Sequence, residues 1–402
     1  MNRASWVNGF VIDVFSVRHV AGALALLGTG CADAPEEVAS TSVASGCSRG
    51  GIIAQVEQLR VPAGALSPRT GHALASLGGG LFVARGVVDD FETQTNTFPL
   101  DLLRVFPHAE RVRELPQRGD DEPGGLSYSC MAGSVLPSPS LYLFGGAHYV
   151  FELRPDFFGS LVVSDTLWRY DLRARRWSSL SPVGDRPAAR TGCVAESFGG
   201  FFYMFAGIDR YFNVNNELWR FDPRENQWTE LAPNGPVPPP RYKPAVALDQ
   251  KEGKVYFYGG LAVGAAGFER VDDFWVYDIA ENSFRELPNG IAPNRDQGAM
   301  GVLGGPMGRR YLVHVGGDLP TDVDCVGFPQ RAKATGEVWA FDIAAESWTQ
   351  LETRGPVPRL EYHAGATVGN AFYFLGGWAE EPDEERTCRQ VWSDAIYELR
   401  LR

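Results

Sequence analysis

One pattern returns along this chain at intervals that only a repeat architecture produces. A strand-like run ends in a glycine pair in LYLFGG (to Gly146), VYFYGG (to Gly260), YLVHVGG (to Gly317) and AFYFLGG (to Gly377). FFYMFAG keeps only the second glycine, Gly207, and LFVARG, ending at Gly86, is a weaker first copy. After a loop of variable length comes a run with an aromatic and an aspartate: LWRYD (Trp168, Asp171), LWRFD (Trp219, Asp222), FWVYD (Trp275, Asp278) and VWAFD (Trp339, Asp342). A short turn leads to a third run carrying Trp177, Trp228, Phe284 or Trp348. A proline-rich turn with an arginine then opens into a strand of small residues such as RTGCVAES.

Those third-run aromatics stand 51, 56 and 64 residues apart, longer than one class of blade repeat and near the roughly 50 of another. Each copy offers four short strands, which is one blade of a β-propeller. A chain of 402 residues would otherwise suggest two or three domains, but a closed ring of repeats makes one. The 46 glycines, 27 prolines and 12% aromatic content suit short strands joined by tight turns. The glycine pair lets the backbone pass where a Cβ would clash. The aromatics fill the wedge between neighbouring sheets, each able to bury about 150–250 Å².

In these motifs the chain resembles the kelch-repeat family, over about residues 51–402, and the galactose-oxidase-like central domain within it. The expected fold is all-β, a six-bladed kelch-type β-propeller. The last copy runs through AFYFLGG and SDAIYELRLR and then ends without an outer strand. The N-terminal AQVEQLRVPAGALSPRTGHA reads like the missing strand and turn, so the N-terminal strand is expected to close the last blade and cover its edge.

Residues 1–50 read differently. Val20–Gly30 is a short apolar run behind Arg18 and His19, ending at Cys31. It is too short to span a bilayer, and basic flank, apolar core and small residues together describe a signal peptide. The small residues before Cys31 resemble a bacterial lipoprotein signal, which implies lipidation of that cysteine, although Gly28 stands where that family prefers leucine. The reading is a lipoprotein-like signal peptide over 1–30, a flexible tether over 31–50 and the propeller over 51–402. It makes the protein an exported one, a cell-envelope lipoprotein or secreted. The net charge of −12 disfavours a nucleic-acid partner and anionic membranes, leaving a lipid anchor as the membrane contact.

Besides Cys31 the chain has Cys47, Cys130, Cys193, Cys325 and Cys388, with no CxxC pair and no metal-ligand spacing, so no metal and no cofactor is expected. Cys325 and Cys388 lie in the long loops after glycine pairs of consecutive copies, where an exported protein is expected to join them in a disulfide. Cys130 and Cys193, at matching points of small-residue strands, read as two small buried side chains.

The family resemblance implies that the loops after the glycine pairs and the turns before each innermost strand share one face. Those loops carry Tyr149 and Arg154, Arg210 and Tyr211, Phe268 and Arg270, and Trp378. Long loops on a rigid scaffold carry binding, and aromatics with arginines are its usual anchors. The turn arginines Arg69, Arg190, Arg241, Arg295 and Arg359 occupy matching places. Two readings stay open for them. As a ring around the channel mouth they would hold a carboxylate or acidic peptide, as related animal kelch adaptors do. As part of the repeat they would instead bond a neighbouring loop. The expected function is a monomeric, non-catalytic propeller recognising a protein or carbohydrate ligand, including an anionic one, through the long-loop face. The alternative is an envelope enzyme acting on an anionic sugar. It rests on the resemblance to periplasmic N-acetylneuraminate epimerase, with Glu269 or Glu361 as the loop acid. His72 and His363 begin innermost strands, but no tyrosine and cysteine partners complete a galactose-oxidase copper site.

Overall fold

The computed structural model describes residues 51–90, 95–119, 121–148, 162–264, 267–289, 298–319, 333–382 and 388–402. Cys31, with the whole of 1–50, lies outside the described residues. Six antiparallel four-stranded blades follow one another in chain order. Their innermost strands are Ala73–Leu77, Cys130–Ser134, Val194–Phe198, Ala245–Asp249, Ala299–Gly304 and Ala364–Val368, in blades 1 to 6. The sixth blade is completed as expected. Ile53–Gln58 pairs antiparallel with Ile396–Leu401, Ala54 opposite Leu401 and Gln58 opposite Tyr397. On its other side Glu352–Arg354 adds a parallel strand, so the closing strand is not left as an edge.

The inner strands are small-residue strands because the sheets converge on the axis. Pairing registers place Ala75, Ala132, Glu196, Ala247, Gly301 and Ala366 at one level. At Gly301 a Cβ would come within 2.4 Å of the Phe372 ring. Farther out the blades splay and large rings fill the gap. The seam between blades 4 and 5 packs Phe274 against Phe341 and Trp348, with ring centroids 4.8 and 5.2 Å apart. Trp177, Trp228, Phe284 and Trp348, the third-strand aromatics of the repeat, are all buried in such seams.

The aspartate of the repeat is a turn-former. Asp171, Asp222, Asp278 and Asp342 each accept from a backbone N–H two residues on, at 2.8–3.0 Å. Each turn then passes a left-handed residue: Arg175, Asn226, Asn282 and Glu346. That is the local self-bonding that places aspartate in turns.

The second glycine of each pair ties one blade to the next. The N–H groups of Gly86, Gly146, Gly207, Gly317 and Gly377 donate to the carbonyls of Leu126, Arg190, Arg241, Leu360 and Arg69, all at 2.9–3.0 Å. The last of these closes the ring from blade 6 to blade 1. All five glycines have positive φ, and at Gly377 a Cβ would stand 2.4 Å from the Glu361 carbonyl oxygen.

Cys130 and Cys193 form a disulfide, with Cα atoms 5.5 Å apart. This corrects their reading as two independent buried residues. Cys193 stands one register step before the position of Cys130, because Cys130 and Val194 are the equivalent residues in their pairings. Alternate side chains of an inner strand face the preceding and following blades, so one step brings the two sulfurs together across the seam between blades 2 and 3. Cys325 lies outside the described residues, and so does the pairing expected of it with Cys388. Non-reducing peptide mapping is expected to recover Cys130 joined to Cys193. Reduction should cost about 4 kcal/mol, the loop-closure value for the 63-residue separation. Recovery of Cys130 as a freely alkylated peptide would contradict the assignment.

Candidate functional site

Of the two readings open for the turn arginines, burial and ion pairing favour the structural one for those the structure describes. Arg69, Arg190 and Arg241 are fully buried. Each guanidinium meets an acid placed just before the third strand of its own blade: Arg69 with Asp101 at 2.5 and 2.7 Å, Arg190 with Glu217 at 2.5 Å, and Arg241 with Asp273 at 2.6 Å. Each Nε donates to the carbonyl two residues back, on Ser67, Ala188 and Pro239. Each Nη1 reaches the carbonyl at the end of the second strand, on Arg85, Ala206 and Gly259. The acid is shared with a tryptophan in blades 3 and 4, where Trp219 and Trp275 donate at 2.9 and 2.8 Å. All five N–H donors of Arg69 are engaged, and four of the five in Arg190 and in Arg241, within a buried setting.

The chain carries its own control for this role. Blades 2 and 6 have Leu126 and Leu360 where the arginine belongs, and there Thr166 and Ala395 replace the acid. Arginine and acid are present or absent together. The same register moves Arg359 out of the set. Leu360 supplies the carbonyl that Gly317 binds, so Arg359 stands one residue early and is exposed. It borders an open cavity of about 600 Å³ beside Thr335, Glu337 and Thr353. Arg295, Tyr149 and Arg154 lie outside the described residues.

Two positions after the arginine place, Gly71, Tyr128, Gly192, Lys243 and Tyr362 circle the mouth of the channel, all with φ between 52° and 65°. Tyr128 N–H donates to Gly71, Gly192 to Tyr128, and Lys243 to Gly192, at 2.5–2.8 Å. Left-handed backbone is costly for any residue but glycine, so three non-glycine residues here hold strain at one spot. Their side chains converge. The Lys243 ammonium lies 3.9 Å from the Tyr128 ring centroid and 4.5 Å from that of Tyr362. Tyr362 in turn stacks on Trp378 at 6.0 Å and 10°. The mouth is therefore a positive charge enclosed by aromatic faces, the geometry of a cation–π cage.

Of the loop residues expected to bind, Trp378 joins this cluster. Arg210 and Tyr211 form an exposed cation–π pair on the blade 3 loop, 5.3 Å apart. Arg270 is half-buried on the two-stranded ribbon Leu261–Gly264 with Gly267–Arg270, and the Phe268 side chain lies outside the described residues. Glu269, one candidate acid, is exposed on that ribbon, whereas Glu361 is buried and its backbone pairs with Trp378 at 2.9 and 3.1 Å. Sequence reasoning missed Tyr128, Lys243 and Tyr362. The available signal was positional: blades 1 and 3 carry glycine there.

Below the mouth, His72 and His363 are buried in adjoining blades 1 and 6. Burial, with Arg69 and then His363 nearby, holds His72 down to about 3. Burial also holds His363 down to about 4, and its Nε2–H donates to the Val315 carbonyl at 3.1 Å. Both are neutral at ordinary pH. Glu196 is the one acid among the alanines and glycine of its level, facing the apolar seam lined by Val246, Val255 and Phe257. Loss of hydration there pushes its carboxyl up to about 7.

The sequence profile of the KLHDC2/KLHL20/DRC7 Kelch-repeats domain matches residues 71–317 and, in an overlapping placement, 132–377. Kelch domain-containing protein 10 of Xenopus tropicalis is 25% identical over 344 residues, covering 82% of this chain and 77% of that protein. The host cell factor homolog hcf-1 of Caenorhabditis elegans is 24% identical over 255 residues, 58% of this chain and 31% of its own length. Among solved structures, that titled "Structure of YjhT" superposes with a TM-score of 0.59 at 14% identity, covering 84% of this chain and 98% of that one.

Two outcomes follow from this geometry. Arg241→Ala should lose about 3–5 kcal/mol, because it strands Asp273 beside a buried cavity. Arg241→Leu with Asp273→Thr, which copies the Leu126 and Thr166 pair, should melt higher than Arg241→Leu alone. A double variant no more stable than that single would refute the structural role. For Glu196 the folded value near 7 lies above the ordinary 4.5. The folded protein then keeps a proton that the unfolded chain has released, so stability falls as pH rises from about 4.5 to 7. His72 and His363 act in the opposite sense, lowering stability as pH falls below 6.5. The test is the difference between wild type and Glu196→Gln in denaturant titrations across pH 5–8. Glu196→Gln should gain relative stability as pH rises, and a flat difference would place the carboxyl in an ordinary solvated setting.

Proposed function

Given that this chain belongs to the kelch-repeat family, we propose that it is a non-catalytic binding propeller whose long-loop mouth receives an anionic segment of a protein partner. The observation that carries this reading is the enclosed Lys243 ammonium at the axis. Its charge lies under the rings of Tyr128 and Tyr362, so an arriving carboxylate meets a positive field over a firm aromatic floor. Exposed Arg210 and Arg359 and half-buried Arg270 add positive charge to the same face of an otherwise acidic protein. Arg69, Arg190 and Arg241 are taken up in buried ion pairs, whereas Lys243 stands among the aromatic rings of the mouth.

The same reading places the protein outside the cytoplasm, carried there by the leader and held by a lipid on Cys31. The Cys130–Cys193 disulfide supports it, since such bonds persist in oxidising compartments. An enzyme acting on an anionic sugar would use the same lysine, and buried Glu361, whose backbone pairs with that of Trp378, is the observation in its favour.

Poly-L-glutamate and N-acetylneuraminate serve as probes. Fluorescence polarisation should show that Lys243→Met weakens binding of the acidic polymer about tenfold, a difference of about 1.4 kcal/mol, while the melting temperature holds. Equal binding by wild type and Lys243→Met would remove the lysine from the site. Polarimetric detection of N-acetylneuraminate turnover, lost in Glu361→Gln, would replace the binding reading by the enzymatic one.

A further inference from the structure

The channel has a second mouth on the short-turn face, and it is built quite differently. A cavity of about 390 Å³ opens there between the inner hairpins of blades 1, 2, 3, 4 and 6. Among the described residues that line it none is charged; the polar side chains are hydroxyls and one amide, with Ser76, Ser197, Thr367 and Gln250 among them. Leu77 and Val368 supply an apolar wall. The hairpins around it are clamped. Gln250 Nε2 donates to the Ser197 carbonyl at 3.1 Å, joining blades 4 and 3. Asn370 accepts from Gly304 N–H at 2.6 Å and donates to its carbonyl at 3.0 Å, joining blades 6 and 5.

Two of the hydroxyls are unspent. Ser197 Oγ and Thr367 Oγ1 are buried and have no hydrogen-bond partner among the described residues. A buried hydroxyl left unpaired costs about 1–3 kcal/mol, so both gain from any group that enters the cavity and bonds them after a rotation about χ1. Closer to the rim, a Cβ at Gly79 or at Gly369 would meet nothing within 4 Å. Their left-handed backbone, with φ of 75° and 61°, keeps these positions small and the opening wide.

We propose that this second mouth is a binding site for a small, uncharged, hydroxyl-rich ligand of mono- or disaccharide size. The volume falls in the range of small-molecule sites. Without a lysine, arginine or carboxylate among the described residues, the lining offers an ion no opposite charge. Hydroxyls both give and accept hydrogen bonds, as a sugar's do, and the Leu77 and Val368 wall suits the C–H face of a pyranose. This site is independent of Lys243 and of what the opposite mouth binds.

Saturation-transfer NMR with D-glucose, D-galactose and maltose at millimolar concentration tests it on the intact chain. At least one sugar should receive saturation from the wild type. Asparagine tolerates left-handed backbone, so Gly79→Asn with Gly369→Asn narrows the opening with little strain. That double variant should weaken binding about tenfold. Ser197→Val should weaken it as well, while Lys243→Met should leave it unchanged. Thermal melts confirm that each variant is folded. No transfer to any of the three sugars would overturn the proposal, leaving the cavity to water. So would binding that survives the narrowed mouth, or binding that disappears with Lys243→Met.

Discussion

A flat four-stranded sheet has no reason to stop beside another at a fixed angle, and in this protein one backbone hydrogen bond supplies it. The second glycine of each pair donates its N–H to the carbonyl at the arginine position of the following blade. The bond recurs at five described junctions, including the junction from blade 6 to blade 1. It needs positive φ and no Cβ, which is why the glycine is the least variable element of the repeat. Everything placed relative to the axis, from the inner alanines to the ring at the mouth, inherits its position from this contact.

The arginine works on the same junction from the side-chain level. Its backbone carbonyl takes the glycine bond, while its guanidinium locks the turn to the acid before the third strand and to two carbonyls. Such a buried pair adds little net stability when complete and costs much when halved. That asymmetry explains why blades 2 and 6 lack both members and none of the described blades keeps one alone. It also decides between two functional readings of the same residue. A guanidinium that is buried and already ion-paired is a poor anion receptor, however symmetric its placement.

With the arginines accounted for, functional potential moves inward to the next ring and outward to the ribbons. Tyr128, Lys243 and Tyr362 accept strained backbone that glycine takes freely in blades 1 and 3. The cluster they make, extended by Trp378, gives the long-loop mouth one cation among aromatic faces. The opposite mouth has hydroxyls and glycine hairpins in place of charge. One channel thus ends in two chemically distinct openings. Glu196 lies between them as a solitary carboxyl whose ionisation works against folding near neutral pH.

What the chain declared by itself was whatever repeats. Strand-ending glycines, wedge aromatics and turn aspartates recur in register, so six blades could be read from the repeat and closure from the N-terminal segment's likeness to the missing outer strand, and the structure has both. The site was only half legible. Trp378 was singled out for its loop and stands in the mouth cluster, whereas Lys243 and the two tyrosines break the repeat's pattern and so looked like noise. The arginines could not be decided from sequence, because a conserved-looking place says nothing about whether a guanidinium's donors are free. Nor could the disulfide: Cys130 and Cys193 seemed to sit at the same point of two blades. Only the hydrogen-bonded register shows them one step apart, with side chains facing each other across a seam. Periodicity belongs to the chain and survives in any linear reading. Which side chains face each other belongs to the ring, because strand register and the turn of each blade about the axis set it, and neither exists until the ring closes.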